Sequence, residues 1–373
     1  MISDQLTTLY THHTTQLQRV GATEGNKVLP FLVSIENDVI AILNKYRKRK
    51  VTAALQAQIQ EEISKVTRQH LQDYTSSLKV ENRALGAYEA DFAVSALNGL
   101  IEDDGFKVVA PTAAAVNARA IITPVKIGIN SYTSYSSMMK NYWGKWADEI
   151  DGVVQAGFLE SKTIPEITNS ILGQMDLSKT GTTKSTLDRA KRSAKQLAIT
   201  GTNHYANTSR IAFVDKNDAM LKGFRFLAVQ DSRTSKQCRS LDQTVWSADD
   251  PKLNSVTPPL HPHCRSALGY EVDDRFKDDE SSKKPSSFEV DGKRDPKPID
   301  SDGIYYENLK KLKASDQDAV LGPTLGKAFR KLDNPSQFAK LMLDDNNRPL
   351  TITQLKTRNN ALSRILREQP KRD

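Results

Sequence analysis

The sequence predicts an α+β protein that is predominantly α-helical. Apolar residues recur at three- and four-residue steps through most of the chain, which is the helical period. One short run, Gly223-Phe-Arg-Phe-Leu-Ala-Val229, is aromatic and β-branched and reads as a strand. The two cysteines of the 373-residue chain, Cys238 and Cys264, follow that run, and His261 and His263 lie beside the second of them. The expected organisation is an N-terminal helical region (1–130) and a central module (131–271) with a small β-sheet and a Cys/His loop pair. An acidic, polar linker (272–302) then leads to a C-terminal helical basic unit (303–373).

In the N-terminal region, Leu32, Ile35, Val39, Ile42 and Tyr46 fall on one helical face. Leu55, Ile59, Ile63 and Val66 form a second stripe, and Leu85, Tyr88 and Phe92 a third. Pro30 sits near the start of the first set, where a missing backbone donor costs little. Residues 106–126 change character. Phe106-Lys-Val-Val-Ala110 and Ala120-Ile-Ile-Thr-Pro-Val125 read as short extended pieces around an Ala-rich turn.

Helix returns at about 132–175, with Tyr142, Trp143, Trp146, Ile150, Val153 and Val154 as its apolar face and Gly157 as its first stop. Thr163-Ile-Pro-Glu166 is a helix start: Thr163 as cap, Pro165 in the first turn, Glu166 three residues on. That helix finishes at Asn169–Gly173, and Gly181–Ser185 is a polar loop. A long helix over 185–216 carries Leu187, Ala190, Ala194, Leu197 and Ala198, then Tyr205, Ile211 and Phe213. Thr244-Val-Trp246 reads as a second strand paired with the first. After Tyr270 the composition turns to Ser, Lys, Pro and Asp, which reads as a mobile linker. The last helical unit spans about 303–366, with Gln317–Gly326 as its central phrase and Leu350–Leu355 near its end. There is no internal repeat.

The formal charge is +8, gathered in runs. Lys45-Tyr-Arg-Lys-Arg-Lys50 is the densest; Lys184, Arg189, Lys191, Arg192 and Lys195 form another, and Lys356, Arg358, Arg364, Arg367, Lys371 and Arg372 a third. Such patches favour polyanions through counterion release, and the same runs also suit ordinary solvated helix faces. Lys45, Arg47, Lys48, Arg49, Lys50, Arg364 and Arg367 are the candidate nucleic-acid contacts. No apolar run is long enough for a transmembrane helix. The first residues, Met-Ile-Ser-Asp-Gln, lack the basic-then-apolar form of a secretory signal, so structural disulfides are not expected.

Cys238, His261, His263 and Cys264 are four donors of the softness zinc favours. The spacing departs from two-knuckle sites, because the upstream side offers Cys238 alone and Pro262 restricts the backbone between the histidines. A close thiol pair, a disulfide formed after lysis, or a histidine bonded to the backbone remain alternatives. Around the cluster, Asp231 can pair with Arg233 or Arg265, Thr234 and Ser235 can cap a turn, and Asp242 lies one turn beyond Cys238. The picture is of two loops stapled together, cross-links standing in for a core.

At these residues the chain resembles the phage Mu F-like minor head proteins, a family of phage head morphogenesis proteins. The resemblance is carried by Asp231, Arg233, Thr234, Cys238, Leu241-Asp242, Pro258-Pro259, His261-Pro262 and Cys264-Arg265, and covers about 150–270. Two departures stand out. Ile199-Thr200-Gly201 occupies the place of an Arg-Thr-Glu phrase, and Ser266 stands where many relatives have a second cysteine. The resemblance implies a virion component in few copies, present in the host cytoplasm during assembly and then at the portal vertex or inside the capsid. Portal protein, capsid subunits and packaged double-stranded DNA are the implied partners, with roles in DNA packaging or ejection.

An enzyme is not expected. His204 or His263 could serve Cys238 as a base, but no oxyanion-hole or orienting signature accompanies them. A metal-dependent nuclease built on His261 and His263 would need a hard-cation site, for which Asp242 and Asp249 are only generic candidates. No Glu-x-Glu pair supports ADP-ribosyl transfer. Asp231, Arg233, Thr234, Cys238, Asp242, His261, Cys264 and Arg265 are therefore expected to hold shape, with no catalytic residue assigned and zinc as the one cofactor suggested. The competing reading is a nuclease or DNA-binding protein using the Cys/His module.

Overall fold

A computed structural model describes residues 2–49, 52–100, 107–128, 131–160, 162–172, 186–273, 275, 282–358 and 360–367. In chain order these form helices α1 (Ile2–Asn26), α2 (Leu29–Lys45), α3 (Ala53–Asn98) and α4 (Ala113–Ile122), then strands β1 (Val125–Gly128) and β2 (Ser131–Thr133). Helices α5 (Tyr135–Leu159), α6 (Ile164–Leu172) and α7 (Thr186–Val214) follow. Next come β3 (Leu221–Leu227), α8 (Lys236–Leu241), β4 (Val245–Ser247), α9 (Leu253–Val256), β5 (Ala267–Val272), β6 (Lys283–Val290) and β7 (Lys293–Asp300). The end is helical: α10 (Tyr305–Lys310), α11 (Ala314–Leu321), α12 (Pro323–Lys331), α13 (Pro335–Leu341), α14 (Ile352–Arg358) and α15 (Asn360–Arg367). The chain is thus predominantly helical with small antiparallel sheets, as its periodicity predicts.

The chain divides into two compact units, one of residues 19–84 and 133–202, the other of residues 1–18, 85–132 and 203–373. Among the described residues the first is helical apart from Thr133 at the end of β2 and the connecting turns. Leu32, Ile35, Val39 and Ile42 of α2, and Leu55, Ile59 and Ile63 of α3, are buried as their spacing predicts. Trp143, Trp146, Ile150 and Val154 of α5 are buried too, each large side chain contributing about 1.5–3 kcal/mol. Tyr74 meets Trp143 edge-on at 5.2 Å. At the start of α6 the Glu166 carboxylate accepts from both the backbone N–H and the hydroxyl of Thr163, each at 2.7 Å, so the expected helix start is present. Helix α5 runs two residues past Gly157, to Leu159.

The second unit holds the sheets. Strands β4, β3 and β5 form an antiparallel sheet in that order, with Phe224 opposite Trp246 on one side and Tyr270 on the other. Its core joins Phe224, Phe226, Leu268 and Tyr270 to Leu6 and Tyr10 of α1, Leu97 of α3, and Ile211 and Phe213 of α7. Cys238 and Cys264 belong to the same core. A second core, of Tyr305, Tyr306, Phe329, Phe338 and Leu355 among others, is built by the terminal helices and Phe288 of β6.

Three expectations differ from what forms. The Leu85–Tyr88–Phe92 stripe is not the buried face of α3: Tyr88 is exposed, and Gly86, Glu89, Ala90 and Ala93 point inward instead. A buried partner for Glu89, described below, sets that rotation. Ala120–Ile122 is helical, because Thr112 caps α4 by accepting from the Ala115 N–H and an Ala-rich first turn favours helix. Only Val125 of that phrase enters a strand, and Phe106 lies outside the described residues. Finally, most of the expected linker is the β6–β7 hairpin. Asp291 and Gly292 both have positive φ, 50° and 74°, and close a two-residue turn of the kind that matches strand twist. The backbone N–H of Ser287 donates to the Gln230 carbonyl at 2.9 Å, tying the hairpin to the loop after β3.

Candidate functional site

The loop after β3 is shaped by its own polar side chains. The Asp231 carboxylate accepts from the Arg233 N–H at 3.1 Å and from the Thr234 hydroxyl at 3.1 Å, a local turn typical of Asp. Ser235 then caps α8 by accepting from the Cys238 N–H at 3.2 Å, which fixes Cys238 in the first helical turn. On the return loop the Cys264 N–H donates to the His261 carbonyl at 3.0 Å. His263 sits in that turn with φ of 57°. The turn puts His261 and Cys264 on one side and leaves His263 exposed.

The result is a three-donor cluster. Cys238 Sγ lies 3.8 Å from Cys264 Sγ and 3.3 Å from His261 Nε2. All three donor atoms are within 4.8 Å of one another, and among the described residues no fourth Cys, His, Asp or Glu joins them. Both thiols are unbonded and buried, and His261 is half-buried. His261 Nδ1 is 2.9 Å from the Pro262 carbonyl, so its N–H donates there and Nε2 faces the sulfurs, a donor to them when the ring is protonated and an acceptor when it is neutral. Of the four donors read from the sequence, the fold gathers Cys238, His261 and Cys264, and not His263.

The two thiols are not equivalent. Hydrogen bonding to Cys264 and burial push the Cys238 thiol up. Burial would raise Cys264 as well, but the hydrogen bonds from Cys238 and His261 outweigh it and hold Cys264 well below an ordinary thiol. Burial would lower His261, and Cys264 more than offsets it, so the imidazole is raised.

Around the cluster the motif residues are tied inward. Arg265 donates to both oxygens of Asp231, at 2.6 and 2.7 Å, and Arg233 lies 3.5 Å away. Burial would raise the Asp231 carboxyl; Arg265, Thr234 and Arg233 outweigh it and keep it below the usual carboxylate value. Asp242, fully buried, accepts from the Ala228 N–H at 2.9 Å and from Gln230 at 2.7 Å. It faces the buried Lys284 of β6 at 3.8 Å. Burial raises the Asp242 carboxyl and lowers the Lys284 ammonium.

Several residues that shape this site were not read from the sequence. Asn203 of α7 donates to the Cys264 and Ser266 carbonyls, at 2.9 and 3.0 Å. Asn207 accepts from the Leu268 N–H at 2.8 Å. Arg210 donates to the Leu268 carbonyl at 3.0 Å and pairs with Glu89 at 3.1 Å, both side chains essentially without solvent. His13 also contacts Glu89. The signal was the spacing: 203, 207 and 210 share one face of α7, although the polar Thr202, His204, Thr208 and Ser209 around them blur it. Buried Lys126 donates to Gln237 at 3.2 Å, next to Cys238 in sequence. Buried His204, by contrast, donates to the Ala120 carbonyl at 2.8 Å and is no base for Cys238.

Residues 147–269 match the model of the family described as Phage Mu protein F like protein. This segment resembles the Phage Mu protein F like proteins. No curated protein and no solved structure matches the chain. The Mu F-like segment holds Asp231, Cys238, His261, Cys264, Arg265 and the Asn203–Asn207–Arg210 stripe, and it supports a role in phage head morphogenesis. The hairpin, with Lys284, and the terminal helices lie beyond it. They nevertheless bond to its α8: Gln237 donates to the Asn347 carbonyl at 2.7 Å, and Arg239 to the Val320 carbonyl at 3.1 Å.

Of the candidate nucleic-acid contacts, Lys45, Arg47, Lys48 and Arg49 are exposed at the end of α2, as is Arg364 on α15. Lys45 pairs with Glu62 at 3.1 Å, which neutralises part of that run. Lys50 and the side chain of Arg367 lie outside the described residues, as do Lys184, Lys371, Arg372 and the side chains of Arg189 and Arg358. Asp249 is exposed and Asp242 is enclosed, so the two do not offer one open carboxylate site. Among the described residues no helix is long and apolar enough to cross a membrane.

Proposed function

We propose that this chain is a minor head protein acting in head assembly near the portal and the inner capsid, as a structural part without catalysis. The Mu F-like match over residues 147–269 carries the reading. The disposition of the motif residues supports it. Asp231, Thr234, Asp242 and Arg265 spend their polar atoms on internal hydrogen bonds, which suits holding a shape and not turning over a substrate. The protein is then virion-associated, at the portal vertex or inside the shell, after a stage in the host cytoplasm.

Exposed Arg47, Lys48 and Arg49 favour a further contact with packaged DNA during packaging or ejection. Mass spectrometry of purified particles, before and after DNA release, tests the assembly role. The expected result is a low-copy component that co-purifies with portal and capsid subunits. Its absence from particles would overturn the reading, and plasmid cleavage in Mg²⁺ or Mn²⁺ would overturn the non-catalytic part. A DNA contact predicts binding that weakens steeply with salt and weakens further when Arg47, Lys48 and Arg49 are changed to Ala together.

A further inference from the structure

We propose that Cys238, His261 and Cys264 bind one zinc-class divalent cation through three protein ligands, with the fourth position left to a small ligand such as water. The proposal stands on the geometry of the cluster and does not depend on the role in head assembly.

Zinc–sulfur bonds of about 2.3 Å at tetrahedral angles set two thiolates about 3.8 Å apart. A zinc–nitrogen bond of about 2.0–2.1 Å puts an imidazole nitrogen about 3.6 Å from each sulfur. The observed separations are 3.8 Å for Cys238–Cys264 and 3.3 Å for Cys238–His261. Two of the three separations are therefore within a few tenths of an ångström of those an ion sets, and the third, His261–Cys264, is at most 4.8 Å. The imidazole is also set for it. His261 Nδ1–H is engaged by the Pro262 carbonyl, which fixes the tautomer and leaves Nε2 as the donor, the outer-shell arrangement common to metal-bound histidines.

The ligands are held by different means. Cys238 is fixed by the capped first turn of α8, and Cys264 by its N–H to the His261 carbonyl and its carbonyl to Asn203. Arg265, beside Cys264 in the chain, is engaged by Asp231, so its cation is largely balanced before an ion enters. The two thiolates then neutralise a divalent ion, which makes charge burial tolerable in a core. Two soft sulfurs and one imidazole select zinc-class ions over Mg²⁺ or Ca²⁺, which prefer oxygen. His263 is excluded because its left-handed turn carries it to the surface.

The full chain, kept reduced with a phosphine, is incubated with Zn²⁺ or Co²⁺ alone, desalted and analysed. The expected content is about one ion per chain, with sulfur-to-cobalt charge-transfer and tetrahedral ligand-field bands in the Co²⁺ form. Cys264→Ser and His261→Ala should each lower retained metal at least about tenfold, whereas His263→Ala should keep it. The wild-type cobalt spectrum needs no variant, so a Cys264→Ser chain that fails to fold leaves the test intact. Failure of the reduced wild-type chain to retain either ion would overturn the proposal. Loss of metal in His263→Ala with retention in His261→Ala would overturn the ligand assignment.

Discussion

Asp231 and Arg265 meet through two parallel hydrogen bonds, 2.6 and 2.7 Å long, across 34 residues of chain. This fork joins the loop after β3 to the loop before β5 beside the sulfur cluster. The Asp231 carbonyl also accepts from the Tyr305 hydroxyl at 2.8 Å, so the same residue ties in α10. Asp231 is thus a junction of three segments, only two of which lie within the Mu F-like match.

Replacing Arg265 tests that junction. Arg265→Ala leaves a buried carboxylate with only Arg233 nearby, and the expected cost is about 2–3 kcal/mol, below the 3–5 kcal/mol of fully buried pairs because Arg265 keeps some solvent. Arg265→Lys should recover less than half, since an ammonium cannot serve both oxygens in one plane. Urea midpoints for both variants measure this. Equal midpoints for Arg265→Ala and wild type would remove the junction.

The Glu89–Arg210 pair is more enclosed, and Arg210 also lies over the Tyr10 ring at 4.6 Å. Arg210→Met should cost about 3–5 kcal/mol by leaving the buried Glu89 with His13 as its remaining partner. Adding Glu89→Gln to that variant should restore at least part of the loss, because the uncompensated charge is gone. A double-mutant cycle on urea midpoints reads this; a double variant less stable than Arg210→Met alone would show that the charge is not the reason.

Much of this was legible in the sequence, and the remainder fails for identifiable reasons. The α2 and α5 faces were plain because Leu, Ile and Trp fill them without interruption. The third stripe of α3 misled because its true inner face carries Glu89 and Gly86, and burial of Glu89 depends on Arg210, over a hundred residues away. The hairpin was hidden by composition: Lys, Ser, Pro and Asp rarely make strands, and the Asp291-Gly292 dipeptide was the one local cue. At the site, the Cys238–His261–Cys264 grouping and the Asp231–Arg265 pair were readable from residue types. The exclusion of His263 was not, because it follows from a positive φ that sequence spacing does not reveal.

His204 sets a pH dependence. It is fully buried, and burial lowers its pKa from 6.5 to about 4 despite the hydrogen bond to the Ala120 carbonyl. A depressed histidine stays neutral when folded while the unfolded chain takes up the proton below about pH 6.5. Its contribution is therefore present above that pH and lost as pH falls toward 4. At pH 5 the loss is about 2 kcal/mol relative to pH 7. His204→Gln can keep a donor to Ala120 and should show a pH 7 to pH 5 drop smaller by that amount in urea melts. The same drop in both proteins would assign the acid sensitivity to other groups.

Gly223 makes the sheet possible. A Cβ placed there would lie 2.1 Å from the Trp246 carbonyl oxygen and 2.9 Å from the Ser247 Cα, both on the facing strand. Backbone cannot swing aside as a flexible side chain can, so Gly223→Ala must push β4 away from β3 or break their pairing. The strand pairs at Gly223, Phe224 and Arg225, flanked by backbone hydrogen bonds between Phe226 and Thr244 and between Ala248 and Lys222, so the displacement falls on a short ladder. The expected cost is about 1–3 kcal/mol, with Trp246 moving toward solvent. Tryptophan fluorescence should shift to the red in the folded variant, in step with a lower urea midpoint. An unshifted spectrum with a normal midpoint would mean that β4 yields freely and that the sheet does not depend on this close approach.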